Sequence, residues 1–121
     1  MLNQVCVLTI KVKEMKESLL FYTEVFDFTV SKKYSDSIVS LVHKNIPIVL
    51  EEEPSINLSD SSSVLLGISS DDIHHDFKLL IDRGAYVLFD EPKPCPPGYY
   101  FIVEDPSGNK IEVVEFTNED K

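Results

Sequence analysis

Apolar positions along this chain follow two rhythms, and the rhythms come in the same order twice. Residues 5–12 alternate, separating Cys6, Leu8, Ile10 and Val12 from Val5, Val7, Thr9 and Lys11, the period-two signature of a strand rich in β-branched residues. The first set is the more apolar and is expected to pack beneath a helix, which makes Cys6 a core residue. From Met15 to Phe26 the period becomes helical. Leu19, Tyr22 and Phe26 recur at i, i+3 and i+7, with Leu20, Phe21 and Val25 widening the stripe. Three short strands are predicted next, over 28–34, 38–43 and 46–51, with turns at Ser35-Asp36-Ser37 and Lys44-Asn45. Pro47 suits a strand beginning or an edge position.

The stretch 52–62 changes character, running through glutamates and a proline into polar residues around Ile56 and Leu58, and reads as a linker. The pattern then restarts. Residues 63–70 alternate as a strand, with Val64, Leu66 and Ile68 on one face and Ser63, Leu65, Gly67 and Ser69 on the other. Asp71 or Asp72 can cap a helix that runs to Arg83 on the stripe Ile73, Phe77, Leu80 and Ile81, with Gly84 as its stop. Residues 85–89 form a short strand and the prolines of 92–98 a stiff loop. Two last strands, 99–104 and 110–116, flank the strong turn signal Asp105-Pro106-Ser107-Gly108-Asn109.

Each half therefore reads as strand, helix and three strands. The expected fold is α+β: one domain of two βαβββ modules, residues 5–51 and 63–117, joined by the linker 52–62 around a central cleft. With the helices on the outer faces, the opposite strand faces either pack as core or line that cleft. Val7, Thr9, Leu65, Gly67, Glu112 and Val114 belong to those inward faces.

Charge narrows the partners. The chain has 21 acidic against 11 basic side chains in 121 residues, a formal charge of −10, and no basic patch that would track a phosphate backbone. A nucleic-acid partner is not expected; a cationic small ligand suits the balance better. No apolar run approaches the length that spans a bilayer, and the first residues lack the basic and apolar regions of a leader, so a cytoplasmic protein is expected. Two cysteines in unlike contexts make neither a disulfide framework nor a metal cluster.

Glu112 is the one candidate for chemistry on the inward faces: a carboxylate that can hold a cation or act as a general base. Bonding to Lys110, Tyr99 or water is the structural alternative. His74 and His75 open the second helix, where adjacent positions point about 100° apart and do not serve one compact site. His43 closes a strand with no acid or nucleophile beside it in sequence. Cys95, held between prolines, has no local group to activate it. Tyr99 and Phe101 share a strand face and offer flat rings to a ligand; Tyr100 and Ile102 take the other face, and Phe116 can join Glu112.

Two segments carry a resemblance. The helix region Glu14-Met15-Lys16-Glu17-Ser18-Leu19-Leu20-Phe21-Tyr22-Thr23-Glu24-Val25-Phe26-Asp27-Phe28 and the tail Glu104-Asp105-Pro106-Ser107-Gly108-Asn109-Lys110-Ile111-Glu112-Val113 resemble the vicinal-oxygen-chelate superfamily of glyoxalases, bleomycin resistance proteins and extradiol dioxygenases. Asp27 stands where that family commonly has glycine, and Asp tolerates a left-handed backbone better than most residues. The resemblance implies metal ligands on the first strand of each module and on a last strand, at Val7, Leu65 and Glu112. Only Glu112 offers a lone pair, so no metal and no cofactor are expected. What it implies instead is a metal-independent binding protein of the bleomycin-resistance type, a homodimer, sequestering a cationic or aromatic compound through Val7, Thr9, Leu65, Gly67, Tyr99, Phe101, Glu112 and Val114. An antibiotic is one such compound. The alternative is a lyase, isomerase or dioxygenase with an atypical metal site or with Glu112 as base.

Overall fold

The β-branched run near the start forms β1 at Leu8–Val12, beginning three residues later than the alternation predicts. The structure is a computed structural model, described over residues 2–55 and 64–117. Because pairing starts only at Leu8, Cys6 precedes the sheet and is exposed, which corrects its expected place in the core. The helical stripe becomes α1 at Met15–Leu20 and runs on into a π-helical turn at Phe21–Val25. The Thr23 hydroxyl donates to the Leu19 carbonyl at 2.8 Å, a back-bond of the kind that loosens and bends helices. Asp27 ends the turn at a φ of 64°, the left-handed conformation that the sequence anticipates, and the Phe28 N–H reaches back to the Tyr22 carbonyl at 2.9 Å.

Strands β2 (Val30–Ser35), β3 (Ile38–Leu41) and β4 (Ile48–Glu52) complete the first half. The second half repeats the order as β5 (Leu66–Ser69), α2 (Ile73–Asp82), β6 (Tyr86–Val87), β7 (Lys93–Cys95), β8 (Gly98–Glu104) and β9 (Lys110–Phe116). Asp72 caps α2 by accepting from the His75 N–H, and Gly84 closes it at a φ of 87°, both as predicted. The proline stretch does more than the sequence suggests. Its middle forms β7, which together with β6 lies along β8 as two pieces of an interrupted strand. Pro94 is tolerated there because β7 pairs on one side only, where a missing N–H costs little. The linker expected at 52–62 lies for the most part outside the described residues.

The chain divides into two compact units, Met1–Asn57 and Leu58–Lys121, and each is a βαβββ module of an α+β fold. In the first unit the sheet order is β1-β4-β3-β2, with β1 and β4 parallel across the helical connection. In the second it is β5-β9-β8-β6, with β5 and β9 parallel. Each sheet buries one face under its own helix. Ile10, Val12, Val39, Leu41, Ile48 and Leu50 form that face in the first unit, against Met15, Tyr22 and Val25. Phe101, Val103, Ile111 and Val113 form it in the second, against Ile73 and Leu80.

The last strand of each module also holds the start of its helix. Glu52 Oε2 accepts from the Met15 N–H at 2.8 Å, and Glu115 Oε1 accepts from the Ile73 N–H at 2.7 Å. These carboxylates satisfy a first-turn donor and face the positive end of the helix dipole. Glu52→Ala and Glu115→Ala are each expected to lower stability by about 1–2 kcal/mol, read as a lower urea midpoint at unchanged m-value. A loss under a few tenths of a kcal/mol at both positions would show that the contacts matter little.

Candidate functional site

The hairpin between β8 and β9 sets which side chains share a face. Glu104 pairs with Lys110, so Ile102 stands opposite Glu112 and Tyr100 opposite Val114. On the far side of β9, Gly67 pairs with Glu112 and Ser69 with Val114. Two rows therefore cross three strands: Gly67-Glu112-Ile102 and Ser69-Val114-Tyr100. This is the face turned away from α2, since the residues between them, Ile111, Val113, Phe101 and Val103, are the ones buried beneath that helix.

That register corrects part of the expected site. Tyr99 and Phe101 lie on the helix side. Phe101 is fully buried with its ring edge-on to Phe77 at 5.2 Å, and Tyr99 sits 6.2 Å from the ring of His74 on α2. Neither ring stands beside Glu112. Two aromatics do share the face: Phe116, at the end of β9, and Tyr100, set edge-on against Phe89 at 5.2 Å. The place of Tyr100 was available from the sequence by counting outward from the Asp105–Asn109 turn.

Gly67, Glu112 and Val114 are brought together as expected. Glu112 is half-buried, and among the described residues its carboxylate makes no hydrogen bond and no ion pair. Lys110 does not neutralise it; its ammonium lies 3.6 Å from Glu104 instead. No buried side-chain oxygen or nitrogen among the described residues lacks a partner, so the Glu112 oxygens reach solvent. Gly67 matters to that access. A Cβ there would stand 3.6 Å from Glu112 Oε1, against the flank of the carboxylate that glycine leaves open. Leu65, just before β5, is 45% exposed.

The corresponding face of the first unit is different. Matching the two helix starts and the two capping glutamates sets Thr9 and Val49 where the second unit has Gly67 and Glu112. Val7 precedes β1 at 42% exposure, and Thr9 is exposed. One row on, Lys11 donates to Glu51 Oε1 at 2.8 Å and to Glu53 Oε1 at 3.3 Å. The hydrogen bond to Glu51, then that to Glu53, raises the Lys11 pKa above the usual lysine value. In water such a cluster adds little to stability. It does occupy the face with charges that already have partners.

The histidines form no site. His43 lies beyond the end of β3 and is exposed, and His74 and His75 are exposed on the first turn of α2. Cys95 is half-buried in β7.

The second unit thus carries a strand face with one carboxylate between aliphatic and aromatic neighbours, on a βαβββ scaffold that both units share. The family model described as "Glyoxalase/Bleomycin resistance protein/Dioxygenase superfamily" matches residues 3–113. The chain belongs to that superfamily. Among solved structures it is similar to a lactoylglutathione lyase from Agrobacterium tumefaciens, at 16% identity and a TM-score of 0.72 over 93% of each chain. It is also similar to an antibiotic binding protein from a Streptomyces species, at 22% identity and a TM-score of 0.74 over 96% of this chain and 98% of that one. A glyoxalase/bleomycin resistance protein/dioxygenase from Alicyclobacillus acidocaldarius matches at 21% identity and a TM-score of 0.75, over 96% of this chain and 93% of that one. No curated protein matches the chain. No described helix is long and apolar enough to cross a membrane.

The donor set does not fit the metal that the family's enzymes imply. Val7, Leu65 and the equivalent Val49 carry hydrocarbon side chains without lone pairs, which leaves Glu112 as one donor where such ions take three or four. Among the described residues no group of three or more His, Cys, Asp or Glu stands close enough to hold an ion.

Proposed function

We infer that the protein binds, without a metal, a small organic molecule bearing a cationic or aromatic group, and sequesters it rather than transforming it. The observation that supports this reading is the unpartnered, half-buried carboxylate of Glu112, open past Gly67 and flanked by Ile102, Tyr100 and Val114. An ammonium or amidinium group brought to it gains a charge-assisted hydrogen bond in partly desolvated surroundings. The aliphatic and aromatic neighbours cover the apolar body of the ligand. Among the described residues none hydrogen-bonds to or ion-pairs with Glu112, which suits retention of an unchanged ligand. The similarity to an antibiotic binding protein favours a drug-like cation, and antibiotic resistance is the corresponding role. A homodimer working in the cytoplasm completes the proposal.

The enzymatic alternative uses Glu112 as a base or as part of an atypical metal site; the similarity to a lactoylglutathione lyase keeps it in view. Calorimetric titration with a panel of cationic aromatic antibiotics and metabolites separates the readings. Binding with Kd below about 1 mM, unchanged by a chelator and weakened at least about tenfold by Glu112→Gln, is the expected result. No binding tighter than about 1 mM, or a stoichiometric divalent ion in the purified protein, overturns it.

A further inference from the structure

The first unit contains a cavity of about 310 Å³ between α1 and strands β2 and β3, on the side of its sheet opposite the Lys11–Glu51 cluster. Ligand pockets begin at roughly this size. Strand β2 borders the cavity. Two register shifts, between Val30 and Lys32 and between Lys33 and Ser35, interrupt the pairing of β2 with β3. Such irregularities bend and twist an edge strand, and here the bent strand borders open space beside the short helix. The floor is apolar: Met15 and Val39 are both buried, and Leu19 and Leu20 extend the wall from α1.

Two lysines line the same space from different elements. Lys16 stands on α1, and Lys33 pairs with Val39, which turns it to the helix-facing side of the sheet where an apolar residue would ordinarily sit. Lys32, one residue earlier, lies 4.7 Å over the ring of Tyr34 and is already engaged. Lys16 and Lys33 make no ion pair among the described residues, although the chain carries 21 acidic side chains. Asp36, with Ser35 at the turn end of the cavity, sets one negative charge against those two positive ones.

We propose that this cavity binds an amphipathic organic anion, with the apolar body on Met15, Leu19, Leu20 and Val39 and the anionic head between Lys16 and Lys33. Hydrocarbon burial supplies most of the affinity, and the ammonium groups select the sign of the head group. Long lysine stems can lie along the apolar wall while their charged ends meet the ligand at the mouth. The plain competitor is that Lys33 turns inward only to guard an edge strand against pairing with another chain. That role needs neither an open cavity beside it nor a second lysine from the helix. All the residues named belong to the first unit, and none of them is on the Glu112 face.

The test is a titration of the isotope-labelled full chain with decanoate, below its micelle concentration, followed through backbone amide shifts, with decylammonium as the opposite-charge probe. Decanoate is expected to move the amides of Met15, Lys16, Leu19, Lys33 and Val39 together, with Kd below about 1 mM, and decylammonium to bind at least about tenfold more weakly. Lys33→Gln and Lys16→Gln, both at exposed positions, are each expected to weaken decanoate several-fold while leaving the urea midpoint within error. Scattered or absent shifts, equal affinity for the two probes, or unchanged decanoate binding in both variants would overturn the proposal.

Discussion

Phe101→Ala is expected to lower the unfolding free energy by about 3–5 kcal/mol, the largest loss from any single truncation in the second unit. Phe101 is fully buried at the centre of β8, pairs with Val113 and meets the ring of Phe77 edge-on. Removing the ring forfeits its transfer free energy, opens a cavity between sheet and helix, and strips Phe77 of its aromatic partner. The surrounding strands cannot collapse into the space, because β8 is held on one side by β9 and on the other by β6 and β7. Tyr99→Ala is the matched comparison. It lies two residues away on the same face but is 40% exposed at the edge of the helix, so roughly 1 kcal/mol is expected. Urea unfolding of the two variants measures the contrast. Equal losses would mean that Phe101 does not occupy the core side, and the assignment of Tyr100, Ile102 and Glu112 to the other face would fall with it.

The fate of Phe101 shows where the sequence was legible. Alternation tells which residues share a face but not which face is covered. For 99–103 both faces are apolar or aromatic, so composition leaves the choice open. The hairpin decides it: the turn at 105–109 sets Glu104 against Lys110, and counting outward puts Ile102, not Phe101, beside Glu112. Strong local signals were readable throughout, among them the Asp72 cap, the Gly84 stop, the left-handed Asp27 and the strand–helix–strands order of both modules. Properties that depend on distant pairing were not. Cys6 continues the alternation of β1 but has no strand partner, so it ends exposed. Pro94 reads as a loop residue, yet an interrupted edge strand accommodates it. Leu20 belongs to the helical stripe but is 51% exposed, at the point where the π turn shifts the angular position of the residues that follow.

The same division applies to the candidate site. Glu112 could be singled out from its distance to a strong turn and from its side of the strand. Its lack of a partner could not, because Lys110 two residues away offers itself in sequence and pairs with Glu104 only in the folded hairpin. Nor could the apposition of Gly67 be read, since it arises from a parallel ladder between segments more than forty residues apart. The lysine-lined cavity is less visible still. It is bordered by a strand with two register shifts, and no residue pattern in 30–35 distinguishes a shifted strand from a regular one.

Gly98→Ala is expected to cost about 3 kcal/mol and to lower the melting temperature by roughly 10 °C, through a mechanism that no alternation pattern reveals. Gly98 is buried at the start of β8 and pairs with both Cys95 and Phe116. An added Cβ would fall inside the van der Waals envelope of the Glu115 carbonyl oxygen and within 2.8 Å of the Thr117 backbone nitrogen. Both atoms belong to main chain, so neither can rotate away. Relief requires the start of β8 to lift from the end of β9, which strains the hydrogen bond from the Thr117 N–H to the Pro97 carbonyl, now 2.9 Å. Gly84→Ala supplies the contrast. At Gly84 an added Cβ meets nothing within 4 Å, so its penalty comes from the φ of 87° alone, about 1–2 kcal/mol. Parallel thermal melts therefore weigh a steric loss against a conformational one. Because the lifted end of β8 is also where Tyr100 and Val114 stand together, Gly98→Ala is expected to weaken ligand retention at Glu112 in the same preparation, whereas Gly84→Ala leaves that affinity unchanged. A Gly98→Ala protein that melts within about 2 °C of the parent would show that the strand ends separate at little cost, and the close packing of β8 on β9 would lose its place in holding the Glu112 face.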